Sequence, residues 1–159
     1  PDGLVLPQGF HAEVVADDIK GLRHLAVTAS GDLYASTRDG LVAMKLDKAH
    51  KAGEPQLFNK DAGKGTGIRL YHGALYAASV TGVYRIKLDK NLVPTATAEP
   101  VIDGMPSGGF NNRPIAFDNQ GNIYVGVGGT GNTCTAKTEK GQKPVGLTPC
   151  PGVDGRGGI

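Results

Sequence analysis

The four residues Lys45-Leu46-Asp47-Lys48 return unchanged as Lys87-Leu88-Asp89-Lys90, 42 positions further on. The same spacing pairs Tyr34 with Tyr76, Gly40 with Gly82 and Val42 with Tyr84. A third, partial copy follows, in which Ala26, Gly31, Leu33 and Tyr34 correspond to Ala116, Gly121, Ile123 and Tyr124. A period of roughly 40–50 residues, built from short apolar runs and turn signals without helical periodicity, points to propeller blades. Such a repeat constrains a fold strongly, because each copy must bury its face on the next. Inner strands of successive blades run in one direction, so the segments that precede them gather at one end of a central channel.

The fold class expected is therefore all-β, a β-propeller of four-stranded blades. The first blade is placed at about 21–58, the second at about 65–103, and the third begins near 113. Leu25-Ala26-Val27, Ile68-Arg69-Leu70-Tyr71 and Pro114-Ile115-Ala116-Phe117 are predicted as inner strands, apolar runs bounded by turn signals. Ala29-Ser30-Gly31-Asp32, His72-Gly73 and Asn119-Gln120-Gly121-Asn122 read as the turns into the second strands. Pro55 to Phe58 suits an outer edge strand, since proline cannot donate to a central ladder. Phe10 to Ala16 reads as an extended segment of the kind that joins another blade as its closing strand, with its partners missing from this chain. Tyr34, Tyr76 and Tyr124, one per blade, are assigned to packing, and Asp47 and Asp89 to turns. Propellers close with about 4–8 blades, and three blades leave open sheet edges. The expectation is the N-terminal part of a larger propeller, with a half-propeller completed by a second copy of the chain as the rival.

Lys and Arg number 17 against 15 Asp and Glu, a net charge of +2 with the cations scattered, which is no nucleic-acid signature. The densest cationic stretch, Lys137 to Lys143, also carries Glu139 and reads as a solvated loop. No apolar run approaches the roughly 20 residues that a membrane span needs. Pro1-Asp2-Gly3 is compatible with a mature end after signal removal or with an arbitrary start. Both cysteines, Cys134 and Cys150, lie in a long insertion at 128–155 rich in Gly, Thr, Lys and Pro. Too few further Cys or His lie nearby to close a zinc site. A bridge would close a loop of about 15 residues and stabilise by about 3 kcal/mol in the chain-entropy account. That favours a periplasmic or secreted setting; two free thiols in a reducing compartment are the alternative.

The three segments that precede the inner strands are Gly21-Leu22-Arg23-His24, Lys64-Gly65-Thr66-Gly67 and Ser107-Gly108-Gly109-Phe110-Asn111-Asn112-Arg113. In the third, glycines admit a ligand close to the backbone, and an arginine beside two amides suits a carboxylate-bearing cofactor or a polyol. A Gly-rich turn whose asparagines cap the backbone fits the same letters. His24 is the one histidine in these segments; it is either a general base or a hydrogen-bonded link between strand and loop. His11, His50 and His72 carry no assignment. No Gly-x-Ser-x-Gly, His-Glu-x-x-His, Walker or EF-hand motif is present.

Leu6-Pro-Gln-Gly-Phe-His-Ala-Glu-Val-Val-Ala16, Leu25-Ala-Val-Thr-Ala-Ser-Gly-Asp-Leu-Tyr34 and Arg113-Pro-Ile-Ala-Phe-Asp-Asn-Gln-Gly-Asn-Ile-Tyr-Val-Gly-Val127 resemble the soluble sugar dehydrogenases of the sorbosone/glucose type. Gly131-Asn-Thr-Cys134, Pro149-Cys150 and Arg156-Gly-Gly-Ile159 extend the resemblance. It covers nearly the whole chain, which would make up about half of such a six-bladed propeller. The resemblance implies oxidation of a sugar or alcohol hydroxyl by hydride transfer to pyrroloquinoline quinone (PQQ), with calcium orienting the cofactor from ligands mostly in later blades. It assigns Arg113 and Asn112 to the catalytic mouth and Asn111, His24 and Thr66 to the cofactor, with no metal ligand in this chain. The family's catalytic histidine lies a few residues ahead of the basic residue, where this chain has Gly109, Phe110, Asn111 and Asn112. A base would then come from another blade. Alternatively, the propeller is non-catalytic and binds a glycan, a small polar ligand or a protein partner. A metal-dependent lactonase-like propeller is disfavoured, because the converging segments carry no paired acids.

Overall fold

The computed structural model of the chain describes residues 3–136 and 139–159. Pro1, Asp2, Lys137 and Thr138 lie outside the described residues, so the reading of the N-terminus and of the start of the Lys137–Lys143 loop falls there. The described part of that loop, from Glu139 to Lys143, is exposed.

Ten strands and one short 3-10 turn make up the regular structure of the described residues. The first sheet joins β1 (His24–Val27), β2 (Asp32–Ser36), β3 (Leu41–Lys45) and β4 (Gln56–Asn59) in chain order. The second repeats it with β5 (Ile68–Tyr71), β6 (Ala74–Ala78), β7 (Val83–Lys87) and β8 (Glu99–Ile102). The third pairs β9 (Ile115–Phe117) with β10 (Ile123–Val125). Every strand pairing is antiparallel. The inner strands stand side by side, β1 next to β5 and β5 next to β9. This is part of a β-propeller, the all-β class that the repeat implies.

The repeat has a physical cause at each recurring letter. Between the second and third strands, Thr37 and Ser79 are buried, and each donates its hydroxyl to the carbonyl of Gly40 or Gly82. The same two oxygens accept from the backbone of Asp39 and Thr81, which closes both turns. Gly40 and Gly82 are required by the outer strand: a Cβ would stand 2.0 Å from the Asn59 carbonyl oxygen or 2.6 Å from that of Ile102. The ladder shifts register immediately after, between Leu41 and Val42 and between Val83 and Tyr84. A bulge there bends the third strand so that a short outer strand can lie on it.

Asp47 and Asp89 serve turns. Asp47 accepts from the backbone N–H groups of Ala49 and Lys51. Asp89 accepts from Asn91, from the Thr95 backbone and from the Thr95 hydroxyl. The Thr95 hydroxyl, the Thr95 and Asn91 backbone amides together hold the Asp89 carboxyl at about 2, below its ordinary 3.8. Because the folded value is depressed, this contribution is complete above the unfolded value and disappears as pH falls towards 2. A carboxyl carbon NMR titration should show Asp89 titrating last of the exposed aspartates; a midpoint near 3.8 would refute this turn geometry.

Successive sheets share their cores. Tyr34, Leu41 and Ala43 of the first pack with Ile68, Leu75, Ala77 and Ile86 of the second. Ala78 and Val83 of the second pack with Ile115 and Val125 of the third. The tyrosines mark the same seams: Tyr34 is buried and donates to the Leu92 carbonyl, and Tyr76 meets Phe117 edge-on with ring centroids 4.8 Å apart. Tyr124 differs, standing exposed with its hydroxyl on Asp118. No further sheet lies beside it among the described residues.

Phe10 to Ala16 does not form a strand. Instead the Val15 carbonyl accepts from Ala52, and that of Val14 from Lys51 Nζ, so the segment hangs on the connection between β3 and β4. It lacks a partner edge among the ten strands.

The insertion is folded back on the sheets. Cys134 and Cys150 form a disulfide. Inside it, Leu147 N–H donates to the Cys134 carbonyl and Ala136 N–H to that of Val145. Beyond the bridge, Gly158 and Val127 exchange both backbone hydrogen bonds. Reduction should add two hydrogens to the intact mass and speed protease cleavage within 134–150, with the sheet circular dichroism retained. Loss of the whole β signal on reduction would contradict a locally acting bridge.

Candidate functional site

The segments before β1, β5 and β9 meet. Arg23 from the first, Lys64 from the second, and Gly109, Phe110, Asn111 and Asn112 from the third line one cleft of about 340 Å³. Arg23 is fixed by its N–H bond to the Ser36 carbonyl. Lys64 sits between two glycines, Gly63 and Gly65, whose N–H groups both donate to the Ala78 carbonyl. The side chains of Arg23 and Lys64 are exposed, and neither forms an ion pair among the described residues.

The third segment is held from behind by two arginines. Arg113 is fully buried and donates from Nη1 to the carbonyls of Phe110 and Asn112 and from Nη2 to that of Pro106. Arg156, beyond the disulfide, donates to the carbonyls of Ser107 and Gly108. Burial, and then the nearby Arg156 cation, draw the Arg113 guanidinium below the ordinary arginine range; it remains a cation. Gly109 takes a left-handed φ of 64°, and a Cβ there would meet the Gly129 carbonyl oxygen at 2.5 Å. Phe110 N–H donates to that same oxygen. The insertion and the mouth loop are therefore one unit.

Each residue singled out from the sequence can now be placed. Asn111 and Asn112 line the cleft. Neither asparagine side chain hydrogen-bonds to another described residue, and Asn111 Oδ1 is buried without a partner. An orphaned polar atom at a cleft wall costs stability unless something fills it. Arg113 points away from the cleft into the loop carbonyls, with Nε unpartnered. His24 and Thr66 are together: His24 Nδ1 donates to the Thr66 carbonyl at 2.8 Å. That bond places the proton on Nδ1 and leaves Nε2 as the acceptor of the neutral ring. Neither His24 nor Thr66 lines the cleft itself. Sequence reasoning passed over Arg23, Lys64 and Arg156; the first two stand in the converging segments, which was the available signal.

An anionic, polyoxygenated cofactor fits the donor set of this cleft: two cations, two amides and no carboxylate. A calcium ion does not fit the side chains available. No group of three or more His, Cys, Asp or Glu is clustered among the described residues. No helix of the described residues is long and apolar enough to cross a membrane.

The fold and the cleft define a partial β-propeller with a ligand-sized mouth at the ends of its inner strands. The chain belongs to the TrAA12-like family, which matches residues 4–145. The expected family resemblance and the propeller class agree with this. The holo form of the pyranose dehydrogenase PQQ domain from Coprinopsis cinerea is similar in structure, with a TM-score of 0.63 at 17% identity over 75% of this chain and 30% of that one. The iodide and calcium structures of Trichoderma reesei carbohydrate-active enzymes family AA12 each give a TM-score of 0.68 at 17% identity, over 81% of this chain and 35% of theirs. The chain thus spans about a third of the length of these structures. No curated protein sequence matches the chain.

Proposed function

We propose that the chain forms part of the mouth of a quinoprotein-type oxidoreductase that uses PQQ to oxidise a sugar or alcohol hydroxyl, in an exported protein. The observation that carries this is the cleft where three converging segments present cations and amides without a single acid. Family membership and the PQQ domain among the similar structures point the same way. PQQ, when bound, supplies a two-electron acceptor for hydride. Asn111 and Asn112 hold oxygen atoms of cofactor or substrate at the wall of the cleft. Arg113 acts as a positioning residue, because its donors fix the backbone from which both asparagines project. His24, oriented by Thr66, keeps Nε2 as a proton acceptor beside the mouth. Calcium, if used, takes its ligands from outside the described side chains.

Titration with PQQ, with and without calcium, followed by absorbance and then by dye reduction with a panel of sugars, tests the reading. Saturable binding with sugar-dependent turnover is expected. A folded protein that binds no PQQ would sink it.

One observation favours a second reading, recognition without catalysis. None of the six residues lining the cleft can accept a proton at neutral pH. A folded protein that binds sugars without reducing dye would support it.

A further inference from the structure

The disulfide insertion enters the repeat at one defined place. In the first two sheets the tight turn between second and third strands is closed by Thr37 N–H on the Gly40 carbonyl and by Ser79 N–H on that of Gly82. Val127 N–H bonds the Gly158 carbonyl in the same way. Thr37, Ser79 and Val127 each lie three positions after the recurring tyrosine, so Val127 and Gly158 are the two ends of that turn in the third repeat. Residues 128–157 therefore stand where the first sheet has only Arg38 and Asp39. These turns adjoin the segments that precede the inner strands. A Cβ at Gly21 would meet Arg38 Cγ at 3.0 Å, and one at Gly65 the carbonyl oxygens of Ala78 and Ser79 at 3.0 Å. In the third repeat the approach is closer: a Cβ at Gly109 would meet Thr130 Cα at 2.6 Å. Arg156, near the end of the insertion, adds side-chain bonds to that contact. Its guanidinium donates to the Ser107 and Gly108 carbonyls at 2.6 and 2.9 Å, and it forms no ion pair among the described residues. Its own backbone is held by a bond from Arg156 N–H to the Val153 carbonyl and, two residues on, by the Val127–Gly158 pair. The Arg113 cation lies near enough to oppose it; two like charges behind one loop persist only where the carbonyls they bind compensate them.

We propose that Arg156 is a positioning residue: from the insertion, it sets the wall of the mouth that carries Asn111 and Asn112. The inference rests on the proposed function only for the identity of the ligand. The path is short. Ser107 and Gly108 are followed directly by Gly109, whose left-handed φ of 64° turns the chain into the cleft wall. Phe110 N–H then bonds the Gly129 carbonyl, which belongs to the same insertion. Arg113 holds the loop further on, at Phe110 and Asn112. The two arginines therefore divide the loop, one fixing where it enters the wall and the other fixing the wall itself. Ser107 and Gly108 are exposed, so water can take the place of the Arg156 guanidinium. The fold then survives its loss, and the position of the wall does not.

The test uses Arg156→Gln and Arg156→Lys, with Lys90→Gln at an exposed turn as control. NMR of the ligand-free protein reads the side-chain amides of Asn111 and Asn112 and the hydrogen exchange of Phe110 N–H. Arg156→Gln should shift both side-chain amides and speed Phe110 exchange about tenfold or more, while β1–β8 exchange as in the native protein. Arg156→Lys should recover part of the change, because an ammonium still donates to one carbonyl; the control should alter nothing. Acceleration across all the sheets would make Arg156 a structural residue only and overturn the inference. Native spectra and native exchange in Arg156→Gln would overturn it too. Calorimetric titration with PQQ separates this inference from the proposed function. Binding to Arg156→Gln weakened about tenfold in a folded protein supports both. Undiminished affinity, where the native protein binds PQQ, means that the wall does not reach the ligand and overturns the inference alone. No PQQ binding by the native protein sinks the proposed function, and the exchange result then decides the inference by itself.

Discussion

Replacing Arg113 by methionine should cost about 3–5 kcal/mol of folding stability, among the largest effects of any single change in the chain. Methionine keeps much of the aliphatic volume, so the loss reports hydrogen bonding rather than a cavity. The guanidinium is fully buried and its bonds go to the carbonyls of Pro106, Phe110 and Asn112. Hydrogen bonds from a charged donor are worth roughly 1.5–3 kcal/mol each, and carbonyls left behind in a buried setting add their own cost. Arg113→Lys should recover part of the loss, since one ammonium cannot reach three acceptors set in a fork. Urea denaturation of both variants measures this. A cost below about 1 kcal/mol for the methionine variant would mean that water replaces the guanidinium, and that the loop does not depend on it.

Gly67→Ala should have a comparable effect through a different cause. A Cβ at Gly67 would lie 2.0 Å from the Arg113 carbonyl oxygen and 2.5 Å from Ile115 Cγ1. The first contact is with backbone, which cannot rotate aside. Gly67 also accepts from Ala78 N–H through its carbonyl, so its own chain is tied to β6. The substitution must therefore part β5 from β9. Overpacking of this kind costs typically about 1–3 kcal/mol, and more where backbone must move. Hydrogen exchange should speed on both strands and leave β1–β4 protected. Uniform acceleration over all sheets, or none, would contradict a local wedge between the second and third sheets.

The repeat was legible because its letters answer to local geometry. Gly40 and Gly82 face an outer-strand carbonyl, and Asp47 and Asp89 accept turn amides. Thr37 and Ser79 perform one task with two letters, so identity matching overlooked them. Phe10 to Ala16 reads as a closing strand that belongs to another blade, and it forms no strand here because strands need a partner edge, which no local pattern supplies. The direction of the Arg113 side chain was hidden for a similar reason. Gly-Gly-Phe-Asn-Asn-Arg is compatible with a loop held by asparagine caps or by the arginine, and the carbonyls that decide it come from across the loop. Arg23 and Lys64 stood in the converging segments without a role of their own, because their common cleft exists only after two sheets have packed.

The tyrosine seam has a consequence for assembly. Tyr34 leans on the sheet that follows it, and Tyr76 does the same, so the contact between neighbouring sheets has a front and a back. Such a joint is heterologous: like faces do not fit like faces. Any body that covers the Tyr124 face, whether more of the same polypeptide or another molecule, has to present a back to it. Rotation about the channel axis preserves that polarity, whereas a two-fold axis across the channel sets front against front. The polarity of growth is thus written into one tyrosine per blade.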